Sequence, residues 1–136
     1  MRIIIVLFVL AMFKVKAQEQ FSITVNFTGM QSDKGNLFVQ LFNEEAQFLK
    51  IGVQKKIVEV KNKKARVVFN NVKRGYYAIA VFHDENDNKK MDTNFVGMPK
   101  EPTGTSNNAK QLFGPPKYED AKFKLDKNTN LKITVK

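Results

Sequence analysis

Tyr76-Tyr77-Ala78-Ile79-Ala80-Val81-Phe82-His83, between Gly75 and Asp84, is the most strongly β-forming run in the chain. Aromatic and β-branched residues dominate it, and turn-forming residues bound it on both sides. It reads as the central strand of a sheet. On its N-terminal side, Phe21, Ile23, Val25 and Phe27 alternate with Ser22, Thr24 and Asn26, the period of a half-buried strand. Leu37 to Phe42 is a second strand, apolar on both faces. Glu44 to Ile51 reads as a short helical turn or a loop carrying Phe48 and Leu49. Val53 to Val60 and Ala65 to Phe69 are two more strands, joined by the polar turn Lys61-Asn62-Lys63-Lys64. On its C-terminal side, Ala121 to Leu125 and Leu131 to Val135 read as a closing pair around the turn Asp126 to Asn130. Seven strands without an amphipathic helix predict an all-β fold. The expected architecture is an antiparallel two-sheet sandwich, immunoglobulin-like in strand count, with a barrel as the alternative. One long ordered loop, Asp84 to Glu119, follows the central strand. Its Phe95, Val96, Met98, Leu112, Phe113 and Tyr118 are too apolar for disorder and are expected to pack back onto the sandwich.

The chain has 136 residues, one His and no Cys, so it has no disulfide framework, thiolate nucleophile or zinc ribbon. Arg2 precedes an unbroken apolar run from Ile3 to Phe13, and Val15-Lys16-Ala17 supplies small residues at the positions a signal peptidase reads. Residues 1–17 are therefore expected to be a secretory signal peptide cleaved after Ala17, with an uncleaved anchor as the alternative, and 18–136 a single exported domain, periplasmic or extracellular. Loss of Arg2, Lys14 and Lys16 would leave 20 basic against 13 acidic groups, a net charge of +7. No transmembrane segment is expected in the mature chain.

Directly after the central strand, Asp84, Asn86, Asn88 and Asp92 place oxygen-bearing side chains at intervals of two, two and four. A tight loop with that spacing aims alternate side chains inward, and a backbone carbonyl, here from Lys90, fills a gap. Hard cations such as calcium take six to eight such oxygens. The pattern follows the first nine positions of an EF-hand loop, but Lys89 stands at the turn glycine and Phe95 at the bidentate glutamate. The competing reading is a purely structural Asx-rich turn in which these side chains bond their own backbone amides.

Further motifs continue this stretch: Thr93-Asn94-Phe95, Gly97-Met98-Pro99-Lys100-Glu101, Ser106-Asn107-Asn108-Ala109, Phe113-Gly114-Pro115-Pro116 and Asp120-Ala121. With Gly75 to Asn86 they occur in the order seen in an exported bacterial family, and the chain resembles that family, catalogued as domain of unknown function 2141. The resemblance covers the mature chain and is concentrated in residues 75–123. It implies an exported β-sandwich like the transthyretin-like or carboxypeptidase-regulatory-like modules, and it implies no activity. Arg74-Gly75 and Lys89 stand where the family favours Pro-Gly and Gly.

Residues 50–74 hold nine cations against Glu59 alone, a net +8, and read as one basic hairpin. Such a patch suits an anionic partner, an envelope glycan or lipid headgroup. Nucleic acid is not expected, because no stacking aromatics interleave with the lysines. His83 and Asp84 are strand neighbours and should point to opposite faces, which disfavours a catalytic pair. The resulting expectation is a non-catalytic accessory or binding domain, calcium-stabilised at Asp84, Asn86, Asn88, Lys90 and Asp92. The alternatives are a small envelope hydrolase using the acidic loop, or a binder of anionic glycans or headgroups.

Overall fold

A computed structural model describes residues 16–136, so all but two residues of the expected signal segment lie outside the described residues. Eight strands form two sheets. The first sheet has β1 (Gln20–Thr28) at its centre, with β4 (Ala65–Lys73) and β8 (Thr129–Thr134) on either side. The second contains β3 (Gln54–Glu59), β2 (Asn36–Phe42), β5 (Gly75–Asp84) and β6 (Thr103–Thr105) in that order, and β7 (Phe123–Leu125) pairs with the start of β5. β5 is the central strand that its composition predicted. It carries β2 along one edge, and β6 and β7 in succession along the other.

Alternation along the strands builds the core. Ile23, Val25 and Phe27 of β1, Phe69 of β4, Leu37, Val39 and Leu41 of β2, and Ile79 and Val81 of β5 are buried between the sheets. A second, smaller cluster covers the outer face of the five-stranded sheet. There Phe42 and Ala78 meet Phe48, which follows a 3-10 turn at Glu45–Gln47, and Tyr118 and Ala121 of the short helix α1 (Tyr118–Ala121). Phe48 makes edge-to-face contacts with Phe42 and Tyr118, at ring separations of 5.3 and 5.6 Å. Among the described residues no helix is long and apolar enough to cross a membrane.

Four expectations need correction. The sheets hold eight strands rather than seven, because Thr103–Thr105 forms a strand inside the segment read as a loop. Three residues with Gly104 in the middle carry no periodicity to read. The last two strands do not pair with each other. β7 joins β5, while β8 crosses to the first sheet and runs parallel to β1, so the sandwich is not wholly antiparallel. Nor is residues 50–74 one hairpin. The turn Lys61–Lys64 is tight, but β3 and β4 diverge from it into different sheets, each as an outer strand. Finally, Tyr118 packs inward as expected, whereas Phe95, Val96, Met98, Leu112 and Phe113 are exposed.

Candidate cation-binding loop

β5 delivers His83 and Asp84 to the end of the sandwich, and both side chains are fully buried. They do not divide between a buried and an open face, because loops cover the strand end on both sides. Gly35 sits against it with φ +67, and a Cβ there would lie 1.8 Å from the Asp84 carbonyl oxygen. The His83 Nε2 lies 2.7 Å from the Lys34 carbonyl oxygen. A carbonyl only accepts, so Nε2 carries the proton and donates. Nδ1 then faces Glu85 Oε1 at 3.6 Å, and the Ser32 hydroxyl donates to the same oxygen at 2.8 Å.

From Asp84 the chain turns sharply, with Asp87 and Lys89 in the left-handed region. The Asp84 carboxylate holds this turn together. Its Oδ1 accepts the Asn88 amide at 3.2 Å and its Oδ2 the Lys89 amide at 2.8 Å. Asn86 Oδ1 accepts the Asn88 amide, and Asn88 Oδ1 accepts the Lys90 amide, as Asx turns do. Asp92 closes the ring from the far side. Asn86 Nδ2 donates to it at 2.6 Å, and Asn88 Nδ2 reaches both its oxygens at 2.8 Å. These two amides hold the Asp92 carboxyl below its ordinary pKa. Asp84, Asn86, Asn88 and Asp92 are thus brought together as the spacing predicts. Lys90 joins only through its amide N–H, with no contact that places its carbonyl among the side-chain oxygens.

The structure adds Glu101, which the spacing argument does not reach. Its Oε2 accepts the Asp92 amide at 3.1 Å. Its Oε1 is buried and no donor reaches it, while the Asp84 carboxyl lies within hydrogen-bond range of the Glu101 carboxyl. Burial pushes the Glu101 carboxyl above the ordinary range, and the neighbouring Asp84 and Asp92 carboxylates push the same way. Glu101 is carried in by the stem of a small loop, in which the Lys100 amide donates to the Asp92 carbonyl at 2.8 Å and Thr93 bridges Pro99. One signal for it is present in the sequence: an acid two residues after Pro99, beyond a Gly97 turn that folds the chain back.

The carboxyls of Asp84, Asp92 and Glu101 and the amides of Asn86 and Asn88 thus share one loop. Among the described residues, no three acidic or histidine side chains are gathered closely enough to hold an ion alone. A cation here would need the Asn86 and Asn88 oxygens, water or backbone carbonyls as well.

A family described as an uncharacterized protein conserved in bacteria, DUF2141, matches residues 25–134. No curated protein matches the chain. No solved structure matches it either.

Proposed function

The chain belongs to this uncharacterized bacterial family, and from that premise we propose that it is an exported, non-catalytic binding domain whose 84–101 loop is stabilised by calcium. The observation that carries the reading is the buried Oε1 of Glu101, reached by no donor and set against the Asp84 carboxyl, with Asp92 close by. Like charges crowded at a partly desolvated site repel, and an unpaired buried oxygen costs about 1–3 kcal/mol. A divalent cation offsets both. On binding, the Asn86 and Asn88 amides turn from donating to Asp92 toward presenting oxygen to the ion. Lys89 and Lys90 are exposed, and the Lys90 and Lys100 charges help to hold the Asp92 carboxyl low, so a bound cation would compete with them.

The burial of His83 supports a non-catalytic reading. Its ring is closed off from solvent and its Nε2 is committed to the Lys34 carbonyl, while Nδ1 is buried without a hydrogen-bond partner. Ser106 is equally committed, since its hydroxyl accepts the Ile79 amide at 2.9 Å and donates to the Ala121 carbonyl at 2.5 Å.

Thermal melting with calcium and with EDTA tests the site. An extracellular-type site has a Kd of about 0.1–1 mM. At tenfold Kd, calcium adds about 1.4 kcal/mol, a rise of roughly 5 °C for a domain of this size. Asp84→Asn with Asp92→Asn should abolish that rise. A melting temperature unmoved by several millimolar calcium would remove the ion from the proposal, and hydrolysis of an envelope substrate lost in the same double variant would favour an enzyme.

A further inference from the structure

Three loops emerge from the end of the sandwich where β5 stops. Asn36 stands opposite Glu59 on one side and Asp84 on the other, while Phe27 stands opposite Ala65 in the facing sheet. Residues 29–35, 60–64 and 85–102 therefore leave from the same end. Side chains tie them together. Asp33 accepts the Asn62 and Lys63 amides at 2.9 and 2.7 Å, and Ser32 and Lys34 hold Glu85 and His83.

The 85–102 loop ends in an apolar tip. Phe95 is 100% exposed, Val96 63% and Met98 58%. The backbone beneath them is fixed. The Asn94 amide donates to the Met98 carbonyl at 2.9 Å and the Gly97 amide to the Asn94 carbonyl at 3.0 Å. Asn94 Oδ1 also accepts the Val96 and Met98 amides at 3.0 and 2.9 Å. A hydrogen-bonded stem thus holds three apolar side chains in water rather than folding them inward.

Charge is sorted at this end of the sandwich. Lys61, Lys63 and Lys64 project from one turn and Lys89, Lys90 and Lys100 from the loop, all exposed. Of these only Lys61 makes an ion pair among the described residues, with Glu59 at 3.6 Å. The acids of the same end are engaged: Asp33, Asp84 and Glu101 cap backbone amides, Asp92 takes the asparagine amides, and Glu85 takes Ser32. Asp87 has no such bond, and Glu59 pairs with Lys61. Lys63 and Lys89 lie at φ 56 and 65, where glycine is preferred, in turns whose amides Asp33 and Asp84 accept.

We propose that this end of the sandwich docks on an anionic lipid surface. Phe95, Val96 and Met98 enter the boundary between headgroups and acyl chains, and the surrounding lysines meet headgroup phosphates. An exposed apolar tip on an end that also carries six exposed lysines suits a soft, negatively charged surface, where apolar burial and electrostatic attraction add. The proposal stands apart from the calcium reading, because the tip and the lysines are in place without an ion.

The chain has no tryptophan, so Phe95→Trp gives a single reporter at the tip. It reads this site whatever the apolar residues 3–13 do in the full chain. In EDTA, its emission should shift to the blue on vesicles containing phosphatidylglycerol, be quenched by brominated acyl chains, and shift little on pure phosphatidylcholine. Ile51→Trp, exposed at the opposite end of the sandwich, should stay unshifted. Replacing Lys61, Lys63 and Lys64 by Gln should weaken binding at least tenfold, since each cation near an anionic surface contributes on the order of 1 kcal/mol. The proposal is overturned if the Phe95→Trp variant emits unchanged on anionic vesicles, or shifts equally on neutral ones. It is also overturned by a shift that grows with protein concentration when no vesicles are present, which would make the tip a contact between copies of this chain.

Discussion

Asp84, Asn86, Asn88 and Asp92 are legible in the sequence because ligands within one tight loop are set by local spacing. Glu101 is not, because it reaches the same place through a hairpin whose register no spacing rule specifies. Its role can be isolated. In EDTA, Glu101→Gln keeps an oxygen for the Asp92 amide while removing one of three crowded negative charges. The variant should therefore melt higher than the parent without calcium, yet gain nothing when calcium is added. A lower melting temperature in EDTA would mean that Glu101 contributes to the fold by some route other than holding an ion. Lys63 makes a comparable case. It follows Asn62 in a two-residue turn with both residues at positive φ, where Asn-Gly is the favoured pair. Lys63→Gly should stabilise the fold by roughly 1 kcal/mol, seen as a higher denaturation midpoint, while weakening association with anionic vesicles. Opposite signs in the two measurements would separate a strained functional lysine from an incidental one.

Among elements, legibility follows length and alternation. β1, β2 and β5 are long enough for a period of two to assert itself, and they lie where their composition places them. β6 is too short, and its central residue is kept as Gly104 by neighbours: a Cβ there would lie 2.8 Å from the Thr134 carbonyl oxygen. Apolar content misleads at the loop tips. It predicts burial only where a covering face exists, as for Tyr118 over Phe42 and Phe48, and none covers Phe95. In the loop 29–35, Gly35 determines how closely the chain can approach β5. Gly35→Ala combines a positive φ with a contact against backbone that cannot yield. It should lower stability by more than about 1 kcal/mol, a change readable in urea. If the cation loop depends on the strand end, its response to calcium should weaken as well. Gly97 is also at positive φ, but a Cβ there meets nothing within 4 Å. Gly97→Ala should therefore cost less than Gly35→Ala.

At the scale of the whole molecule, alternation tells which residues face the core but not which strand lies alongside, and that is where the sequence misleads. Nearness in the chain suggests that β7 and β8 pair as a hairpin. Instead Lys124 lies opposite Tyr76 in one sheet and Lys132 opposite Asn26 in the other. The crossing closes the sandwich: β8 gives the first sheet its third strand and puts Ile133 into the core. It also seats the C-terminal residue, since the Thr103 and Lys136 backbones exchange hydrogen bonds at 2.9 and 3.0 Å beside the functional end. Because the chain has no cysteine, a disulfide can report this topology without interference. Thr24 and Asn130 are direct partners in the parallel register, and neither side chain is buried in the core. Thr24→Cys with Asn130→Cys should oxidise readily, since adjacent strands bring Cα atoms within the roughly 4.4–6.8 Å that a disulfide spans. Closing a loop of about 100 residues should raise stability by up to about 4–5 kcal/mol, less any strain. Lys124→Cys with Lys132→Cys, the pair a β7–β8 hairpin would align, should stay reduced. Oxidation of that second pair in the folded protein, with the first remaining reduced, would reverse the topology and with it the placement of the C-terminus beside the lipid-docking end.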